Sequence, residues 1–289
     1  MNALSLMKKI LFYSLLSLIF IQEVNAQKKK PLYTFPFGVQ AYTYRNSFPK
    51  DVAGTLDIIK SLGITELEGG GAKGVTLEEF KKMCDDRGIS IPATGAGYEE
   101  LRKPEEIVRK AKILGAKYVM CAWIPHKGDN FTIEDAKKAV EDFNYAGKVL
   151  KENGITFCYH DHGYEFRPYE DGTLMDYIIK NTNPEYVSFE MDVLWTIHGG
   201  GDPVALLKKY GSRWKLMHVK DLKKGVKGDF SGHTPSENDV VLGTGQADFP
   251  NIFKAAKKAG IKHYFIEDES NNEMVNVPKS IEYLKSLKE

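Results

Sequence analysis

The stretch NGITFCYHDHGYEF, residues 153–166, is where the fold and the chemistry of this chain meet. An Asn-Gly pair stops an amphipathic helical run. A short β-rich run follows and ends in two histidines, an aspartate and a glutamate. Buried strands avoid ionisable groups unless these are paired or bind something. The grouping therefore points either to polar decoration of a strand end or to the wall of an active site.

The same helix–Gly–strand junction recurs outward from this point: LGITELE (62–68), RGISIPA (87–93), LGAKYVM (114–120) and AGIKHYFI (259–266). The spacing is roughly 25–40 residues, the size of a βα unit. The candidate strands are 37–44, 64–70, 89–97, 116–124, 155–162, 187–193, 214–221 and 263–269. Between them lie helical patterns. LEEFKKMCDDRG (77–88) repeats apolar residues at Leu77, Phe80 and Met83/Cys84, and PEEIVRKAKILG (104–115) opens on Pro and acids and stops on Gly. EDAKKAVEDFNYAGKVLKENG (134–154), FPNIFKAAKKAG (249–260) and PKSIEYLKSLK (278–288) read the same way. Eight such units predict a (β/α)8 TIM barrel over 37–289, a single α/β domain. A doubly wound sheet is the alternative, but it would place a Gly-rich phosphate loop after the first strand, and GVQAYTYRN has none. The Gly-rich EGGGAKG (68–74) lacks the dinucleotide spacing.

Composition narrows the class. Of 289 residues, 42% are hydrophobic and 27% charged, which excludes a disordered chain. The net charge of +1 gives no basic face for nucleic acid. Residues 1–26 read as a signal peptide: Lys8 and Lys9, an apolar run over 10–21, then a small exit residue at Ala26. The run is short for a bilayer span. The expectation is an exported, periplasmic protein with no stable membrane anchor after cleavage. Residues 27–36 read as an N-terminal tail. Cys84, Cys121 and Cys158 show no disulfide framework; a Cys121–Cys158 bridge is left open.

In a barrel, chemistry gathers at the C-terminal strand ends. The last four candidate strands all end in ionisable groups. The fifth offers His160 and His162 on one face with Glu165 just beyond. The sixth offers Glu190 and Asp192, the seventh His218 and Lys220, the eighth Glu267, Asp268 and Glu269. The earlier strands offer less: Glu66 and Glu68, then Trp123 and His126. One Glu, one Asp, one His and a second Glu from four strands make a hard donor set. It suits one divalent ion, Mn²⁺, Mg²⁺ or Co²⁺, with Zn²⁺ also compatible.

The motifs YHDHGYEF, FEMDVLW, LMHVKD and FIEDE, in this order along nearly the whole of residues 27–289, resemble the sugar phosphate isomerase/epimerase family with the xylose-isomerase-like barrel. The resemblance implies a metal held by Glu165, Asp192, His218 and Glu267, with Glu165 and Glu267 as proton acceptor and donor on opposite faces of a ketose. It also implies frequent homo-oligomers. His160, His162, Lys220, Glu68, Trp123, His126 and Trp195 are the candidate substrate-binding residues.

The leading expectation is an isomerase or epimerase of a free sugar or keto-sugar, working through a metal-stabilised enediolate. The alternative is a lyase that uses the same proton abstraction to expel the aglycone of a 3-keto-glycoside. An apurinic-site endonuclease would need further metal ligands from early strands, and PATGAG (92–97) supplies none. A catalytically dead sugar-binding barrel fits poorly with both glutamates being present.

Overall fold

The computed structural model describes residues 29–289. The signal-peptide reading of 1–26 lies outside them. Eight parallel strands close into a barrel: β1 (Gly38–Gln40), β2 (Glu66–Glu68), β3 (Ser90–Gly95), β4 (Tyr118–Cys121), β5 (Thr156–His160), β6 (Val187–Asp192), β7 (Trp214–Val219) and β8 (His263–Ile266). Each pairs with its neighbours in sequence, and β8 closes on β1 through Gly38↔Phe265 and Val39↔Ile266. Register shifts interrupt the β2–β3 and β6–β7 pairings.

One main helix follows each strand: α1 (Val52–Ser61), α2 (Leu77–Asp85), α3 (Pro104–Leu114), α4 (Ile133–Glu152), α5 (Leu174–Asn181), α6 (Pro203–Tyr210), α7 (Phe249–Ala259) and α8 (Glu273–Ser286). The punctuation read from the sequence has physical partners. Thr76 and Thr132 cap α2 and α4 with reciprocal capping boxes through Glu79 and Asp135. Gly115 and Gly260 end α3 and α7 in the left-handed conformation, φ +75° and +91°. The last helix begins earlier than its sequence pattern suggests. It starts at Glu273 and carries Pro278 inside, near enough to the N-terminus that the missing donor removes few helix bonds. Among the described residues no helix is long and apolar enough to cross a membrane.

Two further readings are corrected. The first strand stops at Gln40, and Ala41–Tyr44 turns into a 3₁₀ helix because the Gln40 side chain accepts the Tyr42 N–H. Of the expected tail 27–36, Lys29 and Lys30 are exposed, but Leu32 and Tyr33 are buried. Leu32 N–H donates to the Leu287 carbonyl, tying this segment to the chain's other end.

The interior is layered. Ala93, Cys158, Leu216 and Phe265 form an apolar plug inside the barrel. Below it, His263 meets Glu66 at 2.9 Å, so Glu66 lies at the end opposite its β2 neighbour Glu68. All three cysteines are free and buried. Cys158 belongs to the plug, whereas Cys121 packs in the layer between strands and helices. A Cys121–Cys158 bridge is excluded because their side chains face opposite sides of the sheet.

The long connection after β7 is pinned at its base. The Asp221 carboxylate accepts the N–H groups of Gly243, Gly245 and Ala247 at 2.9–3.0 Å. Its tip folds toward the β4 and β5 ends, where His233 sits 5.5 Å from Trp123.

Candidate active site

Above the apolar plug, a cavity of about 410 Å³ opens at the C-terminal end of the strands. Gln40, Tyr42, His160, His162, His218 and Glu267 line it, with Glu269 at the rim. The polar groups reach it because β5, β6 and β7 each turn alternate residues inward.

His218 is the hub. Its Nδ1 lies 3.2 Å from Glu267 Oε2 and 3.7 Å from Asp192 Oδ2. His160 Nε2 is 3.9 Å from that same Asp192 oxygen. The other nitrogen, His218 Nε2, meets the Glu68 carboxylate and stands 3.5 Å from Glu190 Oε1. Two overlapping groups could hold a metal: His160, Asp192 and His218, or Glu68, Glu190 and His218. Asp192 is informative. Its Oδ1 accepts the Trp195 N–H at 2.9 Å, while its buried Oδ2 has no hydrogen-bond partner. A buried carboxylate oxygen left so is costly without a cation.

Charge divides the histidines: burial would depress His218, but Glu190, Glu68 and Glu267 hold it well above the ordinary imidazole range until an ion takes the place of its proton. Burial pushes the His160 imidazole down to about 4, with His218 adding to the effect. Burial likewise pushes His162 down to about 3. Both are neutral at physiological pH, which ligation requires of His160. Burial would raise Glu267, but the Lys220 ammonium and then His218 hold it well below the usual carboxylate range. Burial would depress Lys220, yet Glu267 and Asp192 keep it charged. Lys220 Nζ contacts Glu267 Oε2 at 3.2 Å and also Glu269, and it lies 5.4 Å over the Trp195 ring.

Glu165 departs from the expected arrangement. It is fully buried, but Tyr159 Oη donates to its carboxylate and the His162 backbone N–H lies 3.1 Å away. Tyr159 and Tyr164 belong to the layer between strands and helices. Glu165 therefore faces away from the cavity, as a brace under the His162 loop, apart from the His160, Asp192 and His218 cluster. Burial raises its carboxyl to about 7 against the pull of these donors. On β5 the residue that reaches the cluster is His160.

The other candidates sort by depth. His162 lines the cavity and stacks on Trp195, 4.4 Å between centroids. Trp195 is buried behind it and does not reach the cavity. Trp123 stacks on His126 at 4.9 Å and meets the edge of His162 at 5.2 Å. These three aromatic groups pack around His162, and none of them lines the cavity. Glu68 lies against His218 and does not line the cavity. Gln40 and Tyr42 went unrecognised in the sequence. Gln40 carries no charge to mark it, and Tyr42 follows the strand's early end.

A profile of xylose isomerase-like TIM barrels matches residues 56–287. The chain belongs to that family. It is similar to an inosose dehydratase of Mesomycoplasma hyopneumoniae (strain 7448), 25% identical over 283 residues, covering 86% of this chain and 85% of the relative. Inosose dehydratase 2 of Bacillus cereus is 31% identical over 157 residues, where the match spans about half of either protein, 50% and 51%. Among solved structures, a sugar phosphate isomerase/epimerase from Parabacteroides distasonis ATCC 8503 superimposes with a TM-score of 0.73 at 28% identity, covering 86% of this chain and 97% of that one.

Proposed function

We propose that this barrel is a divalent-metal-dependent lyase that removes a proton beside the carbonyl of a cyclic polyhydroxy ketone or keto-sugar and expels the β-oxygen substituent. The observation that carries the reading is the orientation of Glu165. With it turned outward, the cavity keeps one carboxylate wall, Glu267 with Glu269, facing neutral imidazoles. Epimerisation at carbon needs a base on each face. Elimination on one face needs a single carboxyl group: it takes the α-proton, the electron pair forms the C=C bond as the β C–O bond breaks, and the same carboxyl returns its proton to the departing oxygen.

Asp192, His218, His160 and Glu267 would hold the ion, whose chemistry there is that of a Lewis acid that polarises a carbonyl. Lys220 keeps Glu267 ionised and so able to accept a proton. His162, fixed by Trp195 and by the Glu165 brace, offers a neutral ring to the substrate hydroxyls. The dehydratase names of the relatives support this reading.

A second reading, aldose–ketose isomerisation, also runs on one base, and the isomerase/epimerase name of the Parabacteroides structure supports it. On the strength of residues 1–26 alone, we place the reaction outside the cytoplasm. Proton NMR in D₂O of the Mg²⁺-loaded protein tests both readings, with an inosose, a 3-keto-glycoside and free ketoses as substrates and EDTA as control. A vinylic signal with release of water or aglycone establishes the lyase. Deuterium uptake with every C–O bond intact establishes the isomerase. Neither signal with any substrate ends the proposal.

A further inference from the structure

We infer that Glu68 and Glu190, buried beneath the cavity, are positioning residues that orient the two ligand imidazoles, and so select which face of His218 takes the ion. This rests on the reading of a metal site given above.

A neutral imidazole has one lone pair, and its other nitrogen carries a proton. His218 therefore binds a cation through Nδ1 or through Nε2, with the opposite N–H donated elsewhere. The two faces differ. On the Nδ1 face stand Glu267, the unpartnered Asp192 Oδ2 and His160 Nε2. His160, His218 and Glu267 all line the cavity, so substrate has access to an ion there. On the Nε2 face stand Glu68 and Glu190, neither of which lines it. An ion on that side would be held by carboxylates set back from the cavity wall, with His218 alone of its three ligands lining it. Moreover, Glu68 Oε2, the oxygen that meets His218 Nε2, also accepts from Gln40 Nε2 at 2.8 Å.

The donor pattern on the Nδ1 face is consistent throughout. The His218 Nε2–H goes to Glu68, which Gln40 holds from β1. The His160 Nδ1–H goes to Glu190 Oε2 at 3.2 Å, which leaves Nε2 free beside Asp192. Each ligand histidine thus has its own buried carboxylate, from β2 and β6. Such partners fix the tautomer and ring plane and raise the ligand's basicity, and losing one typically weakens metal binding 10–100-fold. The unpartnered oxygens Glu68 Oε1 and Glu190 Oε1 are the best case for the rival site, and the experiment separates the two.

The test is Co²⁺ binding to the whole chain by chelator competition, with the visible spectrum of bound Co²⁺ and the exchangeable, hyperfine-shifted imidazole N–H signals as further readouts. The variants are Glu68→Gln, Glu190→Gln and Gln40→Ala, with Asp192→Asn as the benchmark for a lost ligand. Glu68→Gln and Glu190→Gln should each weaken binding about 10–100-fold and leave the band pattern of the spectrum in place. Each should also speed solvent exchange of one of two imidazole N–H signals, which a purely structural role would not move. Asp192→Asn should cost far more and change the spectrum.

If Glu68→Gln leaves affinity and N–H exchange unchanged, Glu68 does not position His218. If it abolishes binding and alters the spectrum as Asp192→Asn does, Glu68 is a ligand and the ion sits on the Nε2 face. Should Glu68→Gln fail to fold, Gln40→Ala decides: a several-fold loss supports the inference and unchanged affinity overturns it. Absence of binding by the unmutated protein would instead remove the metal reading itself.

Discussion

Two corners of this barrel carry a buried glutamate just past a strand end, and they behave in opposite ways. At the β5 corner, Glu165 is enclosed by Tyr159, Tyr164 and the His162 backbone, with no cation in contact, and its carboxyl rises to about 7. At the β8 corner, Glu267 lies between Lys220 and His218 at 3.2 Å from each and stays ionised. Depth of burial is similar; the partners differ. A carboxylate in a low-dielectric site keeps its charge where an ammonium group faces it, and holds its proton to higher pH where only hydroxyl and amide donors do. The first arrangement suits a base or a ligand, the second a brace.

The largest test of this contrast is on turnover. Glu267→Gln should lower kcat/KM by roughly 10²–10⁴-fold, the range for a lost acid–base group. Glu165→Gln should change it only several-fold. Equal large losses in steady-state assays on the substrate identified by NMR would merge the two corners again.

Next in size is a pH effect on stability at the β5 corner. Glu165 ionises near 4.5 when unfolded and near 7 when folded, so the folded form holds its proton longer. The stability this contributes is present in full below pH 4.5 and is lost as pH rises through 7. Relative to Glu165→Gln, the unmutated protein should therefore lose roughly 3 kcal/mol between those limits. Paired urea titrations at pH 4.5, 6 and 8 would measure it, and a flat difference would show that folding leaves the Glu165 pKa unshifted. Asp161, buried beside it, is also pushed up, by burial and then by the Glu165 charge, so the part of its shift due to Glu165 belongs to the same difference.

Removing the donor should cost less. Tyr159→Phe leaves Glu165 without its strongest partner and should destabilise the fold by about 1–3 kcal/mol at neutral pH. The smallest effect is expected at the cavity mouth. Tyr42 is 53% exposed and lines the opening. Tyr42→Ala should raise KM a few-fold with kcat and thermal midpoint unchanged; an altered kcat would place Tyr42 nearer the reacting atoms.

Much of the β8 corner was legible in the sequence, because period-two alternation carries His218 and Lys220 to one face and the strand ends beside them. The β6 carboxylates were legible for the same reason. The β5 corner was not. Alternation describes a chain only while it stays extended, and β5 ends at His160. Gly163, at φ +97°, then turns the chain into the 3₁₀ turn Tyr164–Phe166, and the Tyr159 hydroxyl, on the outer face, captures Glu165.

What the sequence determined by itself is the frame: eight βα units, punctuated by Gly and Pro, with polar groups gathered at the late strand ends. That information is local, since helix stops and strand periods act over a few residues. Tertiary structure decided which polar groups meet. Glu68 and Gln40 come from the quiet first strands, yet barrel closure sets them against His218 from β7. Ring closure makes neighbours of residues some 150 positions apart, and no local pattern encodes that distance.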